Sequence, residues 1–122
     1  MNLTETLAKQ SELLEKIKSI NTNFRKDPAL RKTPEYFKQR LTSLEKYWEQ
    51  FFVNNNKLVQ QEDRSDEYFT RGVFEKVKDL YLSTKTMIIS YEEKLRALRE
   101  QGGEEQFVDA GASTAQADIS GD

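Results

Sequence analysis

The side chains best suited to chemistry in this chain are cations that alternate with aromatic rings between residues 24 and 40. Phe24 precedes two cations, and Tyr36 and Phe37 precede two more. Rings that stack on bases, next to cations that meet phosphates, are typical of surfaces that bind single-stranded nucleic acid. The candidate nucleic-acid contacts are Arg25, Lys26, Arg31, Lys32, Lys38 and Arg40. Only Asp27 and Glu35 oppose them, and a solvated helix face is the alternative explanation of the same pattern.

Two residue types that support much of enzyme chemistry are missing, since the chain has neither cysteine nor histidine. This excludes a thiolate nucleophile, a disulfide framework and a zinc knuckle, and it removes the commonest general base and metal ligand. Paired carboxylates or lysine could still act, but they need a shaped pocket that a short helical chain rarely builds. We therefore expect no enzyme, with no catalytic, cofactor-binding or metal-binding residues, no cofactor and no small-molecule substrate.

Three stretches have the apolar spacing of amphipathic helices, in which steps of three and four residues place side chains on one face. The first covers about residues 2–24, the second runs from Pro34 to about residue 61, and the third runs from Ser65 to about residue 101. Thr33 is a typical N-cap before Pro34, and Gly72 predicts a kink or break. The sequence predicts an all-α fold, a three-helix up-down-up bundle with long second and third helices.

The second helix has two features that admit a structural or a functional explanation. Its six aromatic residues are Tyr36, Phe37, Tyr47, Trp48, Phe51 and Phe52. They form either an interaction surface or core packing, and their helical spacing favours core packing with Trp48 as an anchor. Asn55 interrupts the apolar stripe, which predicts either a buried amide that fixes register or oligomeric state, or fraying at a run of three asparagines.

The composition changes after the third helix. Residues 102–122 are mostly Gly, Ser, Ala, Thr, Gln and acids, whereas all 19 basic residues precede residue 100. Because such a segment buries too little apolar surface to offset its ordering entropy, we expect a disordered acidic tail or linker after a helical bundle domain of residues 1–101. No apolar run approaches the ~20 residues of a membrane helix, and the start does not look like a secretory signal. We expect a cytoplasmic protein with no membrane partner.

Two blocks of the sequence are similar to a known family. The first block comprises Lys32-Thr33-Pro34-Glu35-Tyr36-Phe37, Arg40-Leu41, Leu44-Glu45, Tyr47-Trp48-Glu49-Gln50-Phe51 and Asn54-Asn55. The second block comprises Asp66-Glu67-Tyr68-Phe69, Val73-Phe74, Val77, Leu80-Tyr81-Leu82 and Lys85. Together they resemble the N-terminal Gag-like region of arthropod long-terminal-repeat retrotransposons of the gypsy and Pao classes, over about residues 5–98. The resemblance implies an assembly or interaction module without catalytic residues, although a capsid-like domain, a zinc knuckle and a protease motif are not found.

The third helix is predicted to be longer than its neighbours can cover, with an apolar stripe that continues past the bundle. An apolar stripe in water needs a partner, and a second copy is the simplest one. The predicted self-association residues are Met87, Tyr91, Leu95 and Leu98. We therefore expect a non-enzymatic helical module for protein–protein interaction and assembly, and the alternative is a nucleic-acid-binding helical domain that uses residues 25–40.

Overall fold

The computed structural model describes residues 2–100 of the chain. Its elements are α1 (Leu3–Lys26), a 3-10 helix η1 (Ala29–Arg31), α2 (Pro34–Leu58), a short α3 (Glu67–Thr70) and α4 (Val73–Glu100). No strand occurs among these residues, so the predicted all-α class is confirmed. The predicted tail, residues 102–122, lies outside the described part. The described residues divide into two units, the first up to Ile88 and the second from Ile89.

The start of α1 is fixed by a capping box that the sequence analysis did not find. The side chain of Asn2 accepts a hydrogen bond from the backbone N–H of Glu5 at 2.8 Å, and the Glu5 carboxylate accepts one from the backbone N–H of Asn2 at 3.1 Å. Each bond satisfies a donor that has no partner inside the helix. α1 ends at Lys26, two residues later than predicted, because Asp27 precedes a proline and is extended.

The start of α2 agrees with its prediction, and its end does not. The Thr33 hydroxyl accepts a hydrogen bond from the backbone N–H of Tyr36 at 3.2 Å, with Pro34 in the first turn. The helix ends at Leu58, about three residues early. The asparagine run does not fray, since Asn54 and Asn55 are buried inside the helix. Their amides have partners in the core, described below.

The predicted break at Gly72 is present and divides the third helical segment into α3 and α4. Asp66, and not Ser65, caps α3 by accepting a hydrogen bond from the backbone N–H of Tyr68 at 2.8 Å. Gly72 has a φ of +62°, in the left-handed region that glycine enters without a steric penalty. Tyr68 in α3 is buried before this glycine, and α4 begins directly after it at Val73.

Replacing Gly72 with alanine should lower the free energy of unfolding by about 1–2 kcal/mol, the cost of left-handed backbone for a residue with a Cβ. No atom lies within 4 Å of the added Cβ, so the loss comes from backbone conformation and not from a clash. Gly72→Asn should lose less, because asparagine tolerates this region better than alanine. Urea denaturation of the three proteins checks this, and equal losses in both variants would contradict it.

Within Met1–Ile88 the three long helices alternate in direction. α1 and α2 are antiparallel, since Gln10 near the start of α1 bonds the Phe51 carbonyl late in α2. α2 and α4 are antiparallel too, since Glu45 pairs with Lys85 while the later Phe52 contacts the earlier Phe74. The predicted up-down-up order is therefore present. The side chains that fill this core with 2 % exposure or less include Leu13, Ile17, Phe37, Leu44, Phe51, Leu58, Val77 and Ile88.

The described part of the second unit is the last three turns of α4, which contain most of the predicted self-association stripe. Leu95 is 4 % exposed in the single chain, and Tyr91 and Leu98 are half-buried. Met87, just before this unit, is also half-buried. The expectation of a bare apolar end is therefore wrong at Leu95, because a buried side chain has little surface left for a second copy. Self-association through these four residues stays a prediction.

Candidate interaction surface

A cluster of aromatic rings joins α2 to α4 along one side of the bundle. The Trp48 ring stacks on Tyr81, with centroids 4.7 Å apart and planes 9° from parallel. Phe74 lies 5.7 Å from Trp48, and Phe52 lies 6.0 Å from Trp48 and 6.2 Å from Phe74. We call Trp48, Phe52 and Phe74 the aromatic face. Because each ring contacts the other two, the face is one continuous apolar surface.

The aromatic face is only partly covered by the chain itself. Phe52 is 44 % exposed, and Trp48 and Phe74 are half-buried. This corrects the prediction that Trp48 anchors the core, since the fully buried aromatic residues are Phe37 and Phe51. Trp48 belongs to the same stripe, but it lies on the side of α2 that meets the rings of α4 near solvent. The sequence interpretation of core packing therefore holds for part of the aromatic set only.

An ion pair and a hydrogen-bonded tyrosine mark one end of the aromatic face. The Tyr81 hydroxyl lies 2.8 Å from both carboxylate oxygens of Glu45, and Lys85 Nζ lies 2.7 Å from Oε2 of the same group. Burial opposes ionisation of Glu45, but bonds from Lys85 and Tyr81 outweigh it and hold the pKa of its carboxyl below the usual range. The pair joins α2 to α4 at this end of the face.

Two exposed charges of opposite sign flank the aromatic face. Glu49 follows Glu45 by one turn on α2, and Lys78 precedes Lys85 by two turns on α4. Residues spaced by four or seven share a helix side, so both flank the seam between these helices. Within residues 2–100, neither takes part in an ion pair. An exposed acid, Glu49, therefore lies at one edge of the face, and an exposed base, Lys78, lies at the other.

Some of the predicted nucleic-acid contacts form ion pairs within the chain, around Asp27. This carboxylate accepts a hydrogen bond from the Tyr36 hydroxyl at 2.5 Å and lies 3.3 Å from Arg31 Nη1 and 3.8 Å from Arg40 Nη2. The Arg40 guanidinium also lies 4.4 Å from the centroid of the Tyr36 ring. An acid thus stands among the cations that were predicted to meet phosphate.

Lys32 is not available as a surface contact. It is 4 % exposed, its Nζ donates to the backbone carbonyl of Asp27, and it lies 4.7 Å from the Phe24 ring centroid. Burial lowers the pKa of its ammonium group. Its place in the predicted contact set is therefore wrong, because its ammonium group is enclosed by the Phe24 and Tyr36 rings and the Asp27 carbonyl. The other predicted contacts keep surface: Arg25, Lys26, Arg31 and Lys38 are exposed and Arg40 is partly exposed.

The partners of Asp27 predict how stability depends on pH. The hydrogen bond from Tyr36, helped by the nearby Arg31 and Arg40, holds the pKa of Asp27 below its usual value. A depressed folded-state pKa contributes stability above the unfolded pKa, and that stability is lost as pH falls through the folded value. We expect Asp27→Asn to lose less stability than the wild type between pH 5 and the acid limit, about pH 2, of a urea titration. Parallel slopes for the two proteins would contradict this.

A buried polar network lies behind the aromatic rings, and sequence reasoning found only one of its members. The Gln10 amide donates to the Phe51 carbonyl at 3.0 Å and to the Tyr68 hydroxyl at 3.1 Å, and it accepts from Asn54 at 3.2 Å. Tyr68 donates in turn to Asn55 at 2.7 Å. Asn55 is therefore a buried, hydrogen-bonded amide inside α2, which argues against fraying as the explanation of its place in the stripe. The signal for Gln10 was its position between Leu7 and Leu13 in the apolar stripe of α1.

The remaining features of the described residues point to no site of another kind. No group of three or more His, Cys, Asp or Glu side chains within residues 2–100 is placed to hold a metal ion. An open groove of about 570 Å³ between α1 and α2 has mixed lining, with Lys16, Ile20 and Tyr47 among its side chains. Over the same residues, every helix is too short or too polar to cross a membrane.

Comparison with known proteins adds no relative to this description. No protein-family model matches the chain, and no curated protein matches it. No solved structure matches it either. The function must therefore be argued from the surfaces of the chain itself.

Proposed function

We propose that this chain is a non-enzymatic helical module for protein–protein interaction and assembly, of the Gag-like kind that its sequence resembles, and that it binds through the aromatic face. The observation that carries the proposal is the exposure of Phe52, 44 %, within a continuous cluster of three rings. A continuous exposed aromatic surface is typical of binding sites, where such side chains supply most of the affinity.

The free energy available from burying the exposed part of the aromatic face supports a binding role. A phenylalanine side chain presents about 200 Å², so burying the exposed part of Phe52 is worth about 2 kcal/mol at 25 cal/mol per Å². Trp48 and Phe74 add to this, and their ring contacts already fix their positions. Side chains that are held by ring contacts lose less conformational entropy on binding than side chains that move freely.

The second candidate function is nucleic-acid binding through the surface of residues 25–40. Its support is the exposure of Arg25, Lys26 and Lys38, which form no ion pair within the described part of the chain. Asp27 and the buried Lys32 reduce this surface below what the sequence predicted. If it is correct, affinity for single-stranded RNA must fall steeply with salt, because phosphate contacts release counterions.

Site-specific photo-cross-linking tests the proposed binding face. A benzophenone amino acid in place of Phe52 should form covalent adducts with a protein partner in the native host lysate or with a second copy. The control carries the same group in place of Leu30, which is 90 % exposed on η1, outside both helices of the ring cluster. Adducts at position 52 alone support the proposal. Equal yields at both positions, or none at position 52, would overturn it.

A further inference from the structure

We propose that the occupant of the aromatic face is a second copy of this chain, related by a two-fold axis that runs along the seam between α2 and α4. This inference rests on the proposed function, since it names the partner of the same face. Its support is the placement of charge beside the rings, and not the apolar surface alone.

The flanking charges lie at the same height along the seam. Glu49 lies between Glu45 and Phe52 on α2, and Lys78 lies between Phe74 and Lys85 on α4. The Glu45–Lys85 pair and the Phe52–Phe74 contact join the two helices on either side of this level. A surface with one acid and one base on opposite edges is complementary in charge to a second copy that is rotated by 180° about the seam.

A two-fold axis along the seam creates two identical contacts between opposite charges. It places α2 of each copy over α4 of the other, so that Glu49 of one copy meets Lys78 of the other, and the reverse contact is identical by symmetry. A two-fold axis across the seam would place α2 on α2, which opposes Glu49 to Glu49 and Lys78 to Lys78. Like charges opposed in this way disfavour that arrangement.

The charge balance also favours a second copy over a nucleic acid. The four charges that flank the rings, on Glu45, Glu49, Lys78 and Lys85, sum to zero, so this face offers a polyanion no net attraction. Within each copy, Glu45 is balanced by Lys85 and also accepts a hydrogen bond from Tyr81. Lys78 has no ion-pair partner within residues 2–100, so it can pair with Glu49 of the other copy. In the two-fold arrangement Phe52 of each copy enters the shared apolar surface, at the centre of the contact, where aromatic side chains contribute most.

Sedimentation equilibrium of the full chain, from 5 to 500 µM, tests the pairing. The wild type should show a concentration-dependent dimer, and Glu49→Lys and Lys78→Glu should each weaken dimerisation by at least tenfold. An equimolar mixture of these two variants should form a heterodimer of wild-type affinity, because every Glu49–Lys78 contact then regains opposite charges. The control Lys18→Glu changes an exposed cation on α1 and should leave dimerisation unchanged. Helical content by circular dichroism shows that each variant is folded.

The outcomes separate this inference from the function on which it rests. A wild type that is monomeric at 500 µM, with adducts to a foreign protein at position 52, overturns the second copy and keeps the binding face. If the wild type is a dimer and neither charge reversal changes its dimerisation affinity, the contact lies elsewhere and the proposed axis is overturned. A monomer without adducts at position 52 overturns both proposals.

Discussion

Phe51→Ala should lower the free energy of unfolding by about 3–5 kcal/mol, the range for removing a fully buried phenylalanine. Phe51 is 0 % exposed, and its ring contacts Trp48, Tyr68 and Phe74. Its removal leaves a cavity that α2 and α4 cannot close without displacing these rings. Such a loss is a large part of the stability of a small domain, so the variant should melt well below the wild type.

The next residue along the chain provides the matched control. Phe52→Ala makes the same chemical change, but this ring is 44 % exposed, so we expect it to lose clearly less stability, about 1 kcal/mol. Urea denaturation measures both variants under one set of conditions. Equal losses would contradict the division between a buried core and an exposed aromatic face, and with it the basis of the proposed binding site.

Gln10→Met should lower the free energy of unfolding by about 2–4 kcal/mol, although methionine has nearly the same length. The change removes three hydrogen bonds, to the Phe51 carbonyl, to the Tyr68 hydroxyl and from Asn54. A buried polar group left without a partner costs about 1–3 kcal/mol, and the Asn54 amide would be in that state.

Two variants show whether the loss comes from the network. Tyr68→Phe removes only the hydroxyl that donates to Asn55 and contacts Gln10, and it should cost about 1–2 kcal/mol. Gln39→Met changes an exposed residue of α2 and should stay within about 0.5 kcal/mol of the wild type. A Gln10→Met protein as stable as Gln39→Met would show that the buried amides are not needed for folding.

The parts of the fold that sequence could predict are those that depend on local rules. Apolar spacing located the long helices, and Thr33 with Pro34 located the start of α2 because a cap acts within one turn. The break at Gly72 followed from the poor helix propensity of glycine. The first helix was predicted from about residue 2, next to its observed start at Leu3, but the capping box of Asn2 and Glu5 was not predicted.

The candidate site depends on contacts between distant parts of the chain, and these were harder to predict. Periodicity placed Trp48 and Phe51 on one stripe, but only the position of α4 decides that one is half-exposed and the other buried. Lys32 was expected on the surface because cations usually are, whereas two rings and a carbonyl 5 residues away enclose it. Asp27 pairs with Arg31 in η1 and with Arg40 in α2, and composition alone cannot show this pairing.

The enclosure of Lys32 makes its amine a reporter of opening at the turn between α1 and α2. An amine-reactive label needs a deprotonated, accessible nitrogen, and here the nitrogen lies over the Phe24 ring and donates to the Asp27 carbonyl. Although burial lowers its pKa and so favours the reactive form, access requires the turn to separate from the rings. The rate of labelling at Lys32 relative to exposed Lys38 thus counts how often this end of the helical hairpin opens in the native protein.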